Sequence, residues 1–214
     1  MNAKALWASR RATIMALAGL GLMSALAAHA QNAPRVKFAT SAGDIVIEVY
    51  PDKAPKTVEN FLQYVRDKHY DGTIFHRVIE SFMIQGGGFD TKYVQKTTRA
   101  PVAHEGREAL AKGGPRNVTG TVAMARTNDP NSASAQFFIN VKDNAFLDPT
   151  LIPPGDPVPR FEYQGRVYEN TPRAQLERAP QLYGYTVFGK VVSGMDVVAK
   201  IKAVPTGPGG PFPS

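Results

Sequence analysis

The chain contains no cysteine. Disulfide bonds, thiol nucleophiles and cysteine metal sites are therefore excluded, and so is a lipid anchor attached to cysteine. Only three histidines follow residue 30, namely His69, His76 and His104, and none has the spacing of a metal-ligand pair. The sequence also lacks the Gly-x-Ser-x-Gly turn of serine hydrolases, and the glycine run 86–88 lacks the lysine and helix of a phosphate-binding loop.

Charge of one sign is not concentrated anywhere in the chain. The formal net charge is +7, but lysine and arginine are scattered rather than clustered. Nucleic-acid-binding proteins usually carry a basic patch or stripe. The charge pattern therefore indicates a solvated basic surface and no nucleic-acid partner.

Residues 1–30 have the features of a cleavable signal peptide. Three positive charges precede the apolar stretch 12–27, which ends in the Ala-x-Ala motif at 28–30. The alternative is a membrane anchor, but the apolar stretch is shorter than the roughly 20 residues that a span requires. We predict export to the periplasm without a stable membrane anchor, leaving 31–214 as a single domain.

The remaining sequence predicts a mainly β domain with two helices. Alternating apolar patterns predict strands at 36–40, 44–50, 70–85 with a bend, 119–125, 136–141 and 186–192. Helical spacing is found at Val58, Phe61, Leu62 and Val65 after Pro55, and again at Met195, Val198 and Ile201. Many short strands without a βαβ rhythm favour a closed antiparallel barrel.

One segment, residues 75–88, combines a cation, an amide and large apolar side chains. Because strand side chains alternate between faces, Arg77 and Ile79 share a face, and Met83 and Gln85 rejoin it after a bend near 80–81. A fixed cation beside apolar groups and an amide suits a neutral polar ligand such as a peptide backbone. The segments 120–126 and 134–140 repeat this pattern.

These segments resemble the cyclophilins, a family of peptidyl-prolyl cis–trans isomerases. Four further motifs match the family in the same order, namely APKTVENF at 54–61, YDGT at 70–73, FLD at 146–148 and VFGKV at 187–191. The resemblance covers about 36–205, and the stretch NVKDNAFLD at 140–148 is most similar to the periplasmic cyclophilins of Gram-negative bacteria.

The resemblance implies a closed eight-stranded antiparallel β-barrel capped by two helices, with two departures. An insertion at about 149–183 contains many prolines and is expected either as a folded flap beside the binding groove or as a mobile loop. Thr171 would cap a short helix there, and Phe161, Tyr163 and Tyr168 would anchor the insertion to the barrel. The second departure is 205–214, whose prolines and glycines cannot form the final strand, so this strand is expected to be missing.

The resemblance also implies the roles of individual residues. Arg77 corresponds to the catalytic arginine, and Gln85 to the amide that orients it. His76 is expected to point to the opposite face. The substrate-binding residues implied are Phe82, Met83, Ala125, Arg126, Gln136, Phe137, Phe146, Leu147 and Tyr185.

Three of these positions differ from the eukaryotic members of the family. Phe146 replaces a tryptophan that contacts cyclosporin, so weak cyclosporin binding is expected. Tyr185 replaces a histidine and can still line the proline pocket. Arg126 replaces an asparagine, and its charge is expected to favour acidic peptides.

The function implied is acceleration of Xaa-Pro isomerisation during folding of exported proteins, by a monomer that needs no cofactor or metal. Its partners would be proline-containing unfolded or partly folded polypeptides. The alternative is a periplasmic holdase chaperone that binds such peptides without significant turnover. Arg77 argues against that alternative, because simple peptide holding does not require it.

Overall fold

The computed structural model describes residues 33–209 and 211 of the 214. The expected signal segment 1–30 lies outside the described residues. From Pro34 onward, the described residues form one compact unit. No helix within this part of the chain is long and apolar enough to cross a bilayer.

The described chain is mainly β, with four short α-helices. The strands are β1 (Arg35–Thr40), β2 (Gly43–Val49), β3 (Thr73–Ile79), β4 (Met83–Asp90), β5 (Thr121–Met124), β6 (Phe137–Asn140), β7 (Val158–Tyr163), β8 (Arg166–Thr171) and β9 (Val187–Ser193). The helices are α1 (Pro55–Arg66), α2 (Gly106–Ala111), α3 (Arg173–Glu177) and α4 (Met195–Lys202). Two 3-10 turns lie at Ala145–Leu147 and Pro180–Leu182. The two helices predicted from helical spacing are α1 and α4.

Seven strands form one antiparallel sheet in the order β1-β2-β9-β5-β6-β4-β3. The expectation of a closed eight-stranded barrel is wrong for the described residues, because the sheet ends at β1 and β3. Between these two edges lies a cleft of about 760 Å³, also lined by Lys200 and Ile201 of α4. Residues 203–209 follow α4 and add no strand to this sheet. Their prolines and glycines explain why, since proline lacks a backbone donor and glycine weakens strands.

One face of the sheet carries the main hydrophobic core. In β2, Ile45, Ile47 and Val49 alternate with more exposed residues and are each fully buried. The α1 residue Phe61 lies 4.9 Å from the ring of Phe188, measured between centroids. Burying one such side chain stabilises a fold by roughly 1.5–3 kcal/mol, so this face contributes much of the stability of the domain.

A buried carboxylate fixes the start of α1. Pro55 occupies the first turn, where its missing N–H costs nothing. Glu105 accepts hydrogen bonds from the backbone N–H groups of Lys56 (3.1 Å) and Thr57 (2.7 Å) and from the Thr57 hydroxyl (2.8 Å). The carboxylate therefore satisfies donors that a helix N-terminus leaves unpaired.

The insertion is folded and is built around its own hydrophobic cluster. Strands β7 and β8 form a separate two-stranded sheet. The buried members of the cluster are Val158, Phe161, Leu176 and Leu182. Of the two forms expected for this segment, the structure therefore has the folded one.

Two details of the insertion differ from expectation. Tyr163 and Tyr168 pack with Phe161 inside the insertion rather than against the barrel, because the hairpin and α3 are close enough to bury each other. Contacts with the rest of the domain include the Tyr183 ring, which lies 4.4 Å from the Arg107 guanidinium carbon, and a hydrogen bond from Arg107 Nη1 to Glu177 O at 3.1 Å. Thr171 ends β8, and Pro172 is the residue that precedes α3.

Candidate active site

The face of the sheet opposite the main core carries one row of side chains across five strands. Strand pairing places Arg77 of β3 opposite Gln85 of β4, and Gln85 opposite Phe138 of β6. The row continues from Phe138 to Ala123 of β5 and then to Val187 of β9. Directly paired residues project from the same face. A guanidinium and an amide therefore stand at one end of an apolar row.

An apolar cluster, here called the site cluster, surrounds this row. Its buried members are Met83, Ala123, Phe138, Leu147 and Val187, and its partly buried members are Ile79, Phe82, Ala125 and Tyr185. None of these residues lines the cleft between β1 and β3. The site cluster is therefore a separate apolar surface, next to the only cation in the row.

Phe82 stands between Arg77 and Phe146. The hairpin turn after β3 is closed by a hydrogen bond from Phe82 N to Ile79 O (2.9 Å), which makes Phe82 the last residue of the turn, directly before β4. The Arg77 guanidinium carbon lies 6.0 Å from the Phe82 ring centroid. The Phe82 ring also stacks on the ring of Phe146, with 5.6 Å between the two centroids, and Phe146 is 63% exposed. Among the described residues, no carboxylate forms an ion pair with Arg77, so its donors remain available to a ligand.

The expectation that Phe137 lines the site is wrong. Phe137 packs in the main core, where its ring lies 5.4 Å from Phe38 and 5.5 Å from Tyr70. The next residue, Phe138, belongs to the site cluster instead. Because neighbouring strand residues face opposite sides, a one-residue offset in the motif assignment transfers the side chain to the other face.

Gln85 and Gln136 are linked beside Arg77. The Gln85 Nε2 group donates to Gln136 Oε1 at 2.9 Å. Gly88 leaves room for this amide, since a β-carbon there would lie 2.6 Å from the Gln136 side chain. His76, the neighbour of Arg77, packs on Phe89 at 4.7 Å between ring centroids, and burial lowers its pKa.

The Ala125–Arg126 backbone lies at the edge of the site cluster. Ala125 N–H donates to Gln136 O at 3.0 Å, so the sheet already uses this donor. The resemblance implies that the Ala125–Arg126 backbone pairs with an extended peptide, and the Ala125 N–H is not free for such pairing.

The Arg126 side chain is directed to the base of the insertion. Its Nε and Nη2 groups donate to Gly184 O at 3.0 and 2.9 Å, and Nη1 donates to Thr127 O at 2.8 Å. The guanidinium carbon lies 4.6 Å from the Tyr185 ring centroid, and Tyr185 contacts Phe138 edge-on at 5.5 Å. Arg126 therefore orients a wall of the site cluster, and few of its donors remain for a substrate carboxylate.

His104 contacts the same carbonyl oxygen, Gly184 O, that accepts the hydrogen bonds of Arg126. Its Nδ1 accepts the Gly106 N–H (3.1 Å), so Nε2 carries the hydrogen and donates to Gly184 O (3.3 Å). Burial lowers the pKa of His104 to about 4, with smaller contributions from Arg126 and Arg107 in the same direction. The imidazole is therefore neutral near pH 7.

The described residues contain no group of three or more histidine, cysteine, aspartate or glutamate side chains arranged to hold a metal. The arrangement that is present can grip a peptide carbonyl, accept an apolar ring and direct an arginine at the bond between them. Such a surface suits a reaction controlled by conformation.

Comparison with known proteins identifies the class. The model for the cyclophilin type peptidyl-prolyl cis-trans isomerase/CLD family matches residues 35–212. The chain is 53% identical to a peptidyl-prolyl cis-trans isomerase of Streptomyces antibioticus, over 80% of this chain and 85% of that protein. It is 47% identical to peptidyl-prolyl cis-trans isomerase B of Escherichia coli, over 82% and 88%.

Among solved structures, a Cryptosporidium parvum cyclophilin crystallised in the presence of the dipeptide Ala-Pro has the same fold. Its TM-score is 0.52 at 22% identity, covering 81% of this chain and 87% of that one. The chain thus belongs to the cyclophilin family and is a peptidyl-prolyl cis–trans isomerase.

Proposed function

We propose that the chain isomerises Xaa-Pro bonds in exported polypeptides by stabilising the twisted amide through Arg77, without covalent chemistry. The observation that carries this proposal is the cross-strand row, which sets Arg77 and Gln85 beside the apolar site cluster. Rotation about the peptide bond faces a barrier of about 18–20 kcal/mol because resonance is lost. Catalysis requires an interaction that strengthens as resonance is lost.

The prolyl nitrogen provides that interaction. In the planar amide its lone pair is delocalised and accepts hydrogen bonds poorly, whereas in the twisted amide the lone pair is localised. Arg77 donates to this nitrogen in the transition state, and the site cluster holds the proline ring. Each tenfold in rate corresponds to about 1.36 kcal/mol, so one charge-assisted hydrogen bond in a partly dry site supplies a substantial share.

The neighbouring residues hold the substrate around this point. Gln85, linked to Gln136, orients Arg77 and contacts the substrate backbone. Ala125 and Arg126 pair with the peptide through their backbones. Phe82, Met83, Phe138, Leu147 and Tyr185 enclose the proline ring.

Weak cyclosporin binding is part of the proposal. Phe146 offers a smaller ring than the tryptophan of eukaryotic relatives and no indole N–H. Its exposed stack on Phe82 supports a role at the rim of the site. We expect Phe146→Trp to lower the cyclosporin concentration for half inhibition while leaving the peptide rate within about twofold. Unchanged inhibition would refute this role for Phe146.

We further propose that residues 1–30 are removed on export and that residues 31–214 act in the periplasm as a monomeric domain. The charge and Ala-x-Ala pattern of the leader supports this. Cell fractionation followed by mass spectrometry of the N-terminus tests it, and light scattering tests the monomer. A cytoplasmic protein retaining Met1 would overturn the localisation.

The decisive experiment compares the isomerisation rate of an Ala-Pro tetrapeptide with residues 31–214, Arg77→Ala and Arg77→Lys. We expect strong acceleration by the wild type and a loss of at least about 100-fold in kcat/KM for Arg77→Ala. Arg77→Lys should recover little, since its donors are not held in a planar fork. A folded wild type that suppresses aggregation without accelerating isomerisation would instead favour the holdase function.

A further inference from the structure

Three asparagines are buried beneath the site cluster. Asn117 lies before β5, Asn140 ends β6 and Asn144 precedes the Ala145–Leu147 turn, and none is more than 2% exposed. Asn144 Nδ2 donates to Asn140 Oδ1 at 2.7 Å. Asn140 Nδ2 donates to Asn117 Oδ1 at 3.3 Å and to Thr121 Oγ1 at 3.0 Å. These three residues are called the asparagine network below.

The two ends of the asparagine network hold two walls of the site. Asn144 Nδ2 donates to the backbone carbonyl of Phe82 at 2.9 Å. Asn117 Nδ2 donates to the backbone carbonyl of Leu147 at 3.1 Å. Phe82 and Leu147 lie on different segments, the β3–β4 turn and the 3-10 turn, which are far apart in sequence. The network is therefore a buried bridge that sets their spacing.

The energetics favour a fixed geometry. Hydrogen bonds in a dry interior are stronger than in water, and a buried amide that loses its partner costs roughly 1–3 kcal/mol. Each of the three side-chain amide nitrogens has a partner. Shifting either carbonyl would leave buried donors unsatisfied, which resists movement of Phe82 relative to Leu147.

We propose that Asn117, Asn140 and Asn144 are positioning residues for isomerisation, holding Phe82 and Leu147 at the separation the twisted proline ring requires. The inference rests on the proposed role of the site cluster. The ground state needs only an apolar surface for the ring, whereas the transition state needs that surface in register with Arg77. A misplacement of about 1 Å can lower a rate about 100-fold.

The test is Asn144→Leu, which replaces the amide by an apolar branched side chain with the same number of non-hydrogen atoms and removes its hydrogen bonds. Thr57→Val is the matched control, because Thr57 is equally buried and hydrogen-bonded, but to Glu105 at the start of α1. Both variants and the wild type are assayed on the Ala-Pro tetrapeptide at a temperature where circular dichroism shows each to be folded. We expect kcat to fall about tenfold in Asn144→Leu with KM within about threefold. Thr57→Val should stay within about twofold of the wild type in both constants.

A purely structural role would lower the melting temperature of both variants and leave kcat of the folded proteins unchanged, which would overturn the inference. A fall in kcat/KM that comes from a higher KM alone, with kcat unchanged, would also overturn the inference. If Asn144→Leu does not fold, Asn117→Ser at the other end of the network carries the same expectation. The wild type separates the two proposals: if it shows no acceleration, the proposed function fails, whereas an active wild type with an equally active variant refutes only the positioning role.

Discussion

Phe137 and Phe138 are consecutive residues of β6 that belong to different hydrophobic clusters on opposite faces of one sheet. Phe137 pairs with Gly86 and Met124 and packs under the aromatic core of Phe38 and Tyr70. Phe138 pairs with Gln85 and Ala123 and faces the site cluster. One strand thus supplies a core residue and a site residue side by side.

The two phenylalanines should separate stability from activity. Phe137→Ala removes a core ring and should destabilise the domain by about 3–5 kcal/mol, measured by urea unfolding, while the folded variant retains kcat/KM within about twofold. Phe138→Ala should lower kcat/KM of the folded protein by about tenfold or more, because it opens the surface that holds proline. If instead Phe137→Ala lowered kcat/KM and Phe138→Ala did not, Phe137 rather than Phe138 would be the residue that contacts the substrate.

Strands β3, β4 and β6 illustrate what the sequence can and cannot predict. Alternation correctly placed Arg77 and Ile79 on one face, with Met83 and Gln85 directly opposite them, because the side-chain period of a strand is two. Alternation cannot decide which of Phe137 and Phe138 faces the site, since both side chains are apolar and both are buried. The register across β4, β5 and β6 is a tertiary property, and it alone identifies the residue facing Gln85.

The open sheet and the insertion show a second limit. The prolines and glycines after α4 predict that this segment forms no closing strand, and none is present in its described part, residues 203–209. The sequence leaves two forms open for the insertion, because prolines interrupt its apolar residues. Its cluster forms only when Leu176 of α3 meets Phe161 of β7, a contact that no local pattern encodes. Likewise, the buried asparagines carry no motif, and only their hydrogen bonds reveal them.

Arg126 should act through Tyr185 rather than through substrate charge. Its guanidinium is bonded to Gly184 O and stacked on Tyr185. We expect Arg126→Ala to lower kcat/KM by about three- to tenfold on peptides with glutamate and with lysine before proline alike. Arg126→Lys should not restore the rate, because an ammonium cannot reproduce the paired hydrogen bonds from Nε and Nη2 to Gly184 O. A loss confined to the glutamate peptide would instead support the charge preference expected from the sequence.

The insertion should be removable without loss of the isomerase centre. Backbone hydrogen bonds from Thr150 N to Leu182 O (3.0 Å) and from Tyr185 N to Leu147 O (2.9 Å) hold its two ends together. Replacing residues 153–181 with a Gly-Ser-Gly linker should leave the tetrapeptide rate within about threefold. If the insertion contacts larger substrates as a flap, the rate on a proline-limited refolding protein should fall further. Equal losses on both substrates would contradict the flap.

His104 should make the domain less stable as the pH falls from about 6.5 to 4. Its folded pKa, lowered by burial to about 4, lies below the unfolded value of about 6.5. The unfolded chain therefore binds the extra proton in this window, so the stabilisation is complete above pH 6.5 and is lost progressively down to about pH 4. The shift corresponds to about 3 kcal/mol. Burial also lowers the pKa of His69 and of His76, so the wild-type profile includes their shares.

The variant His104→Gln isolates the contribution of His104, because glutamine can still donate to Gly184 O but does not titrate in this range. Urea unfolding of both proteins at pH 4, 5, 6 and 7 gives the free energy of unfolding at each pH. The difference between wild type and variant should shift in favour of the variant as the pH falls, and it should level off near pH 4. A difference that does not change with pH would show that His104 has the same pKa in the folded and the unfolded protein, as an exposed imidazole does. In that case the neutral imidazole would not be the group that holds the base of the insertion against the site cluster.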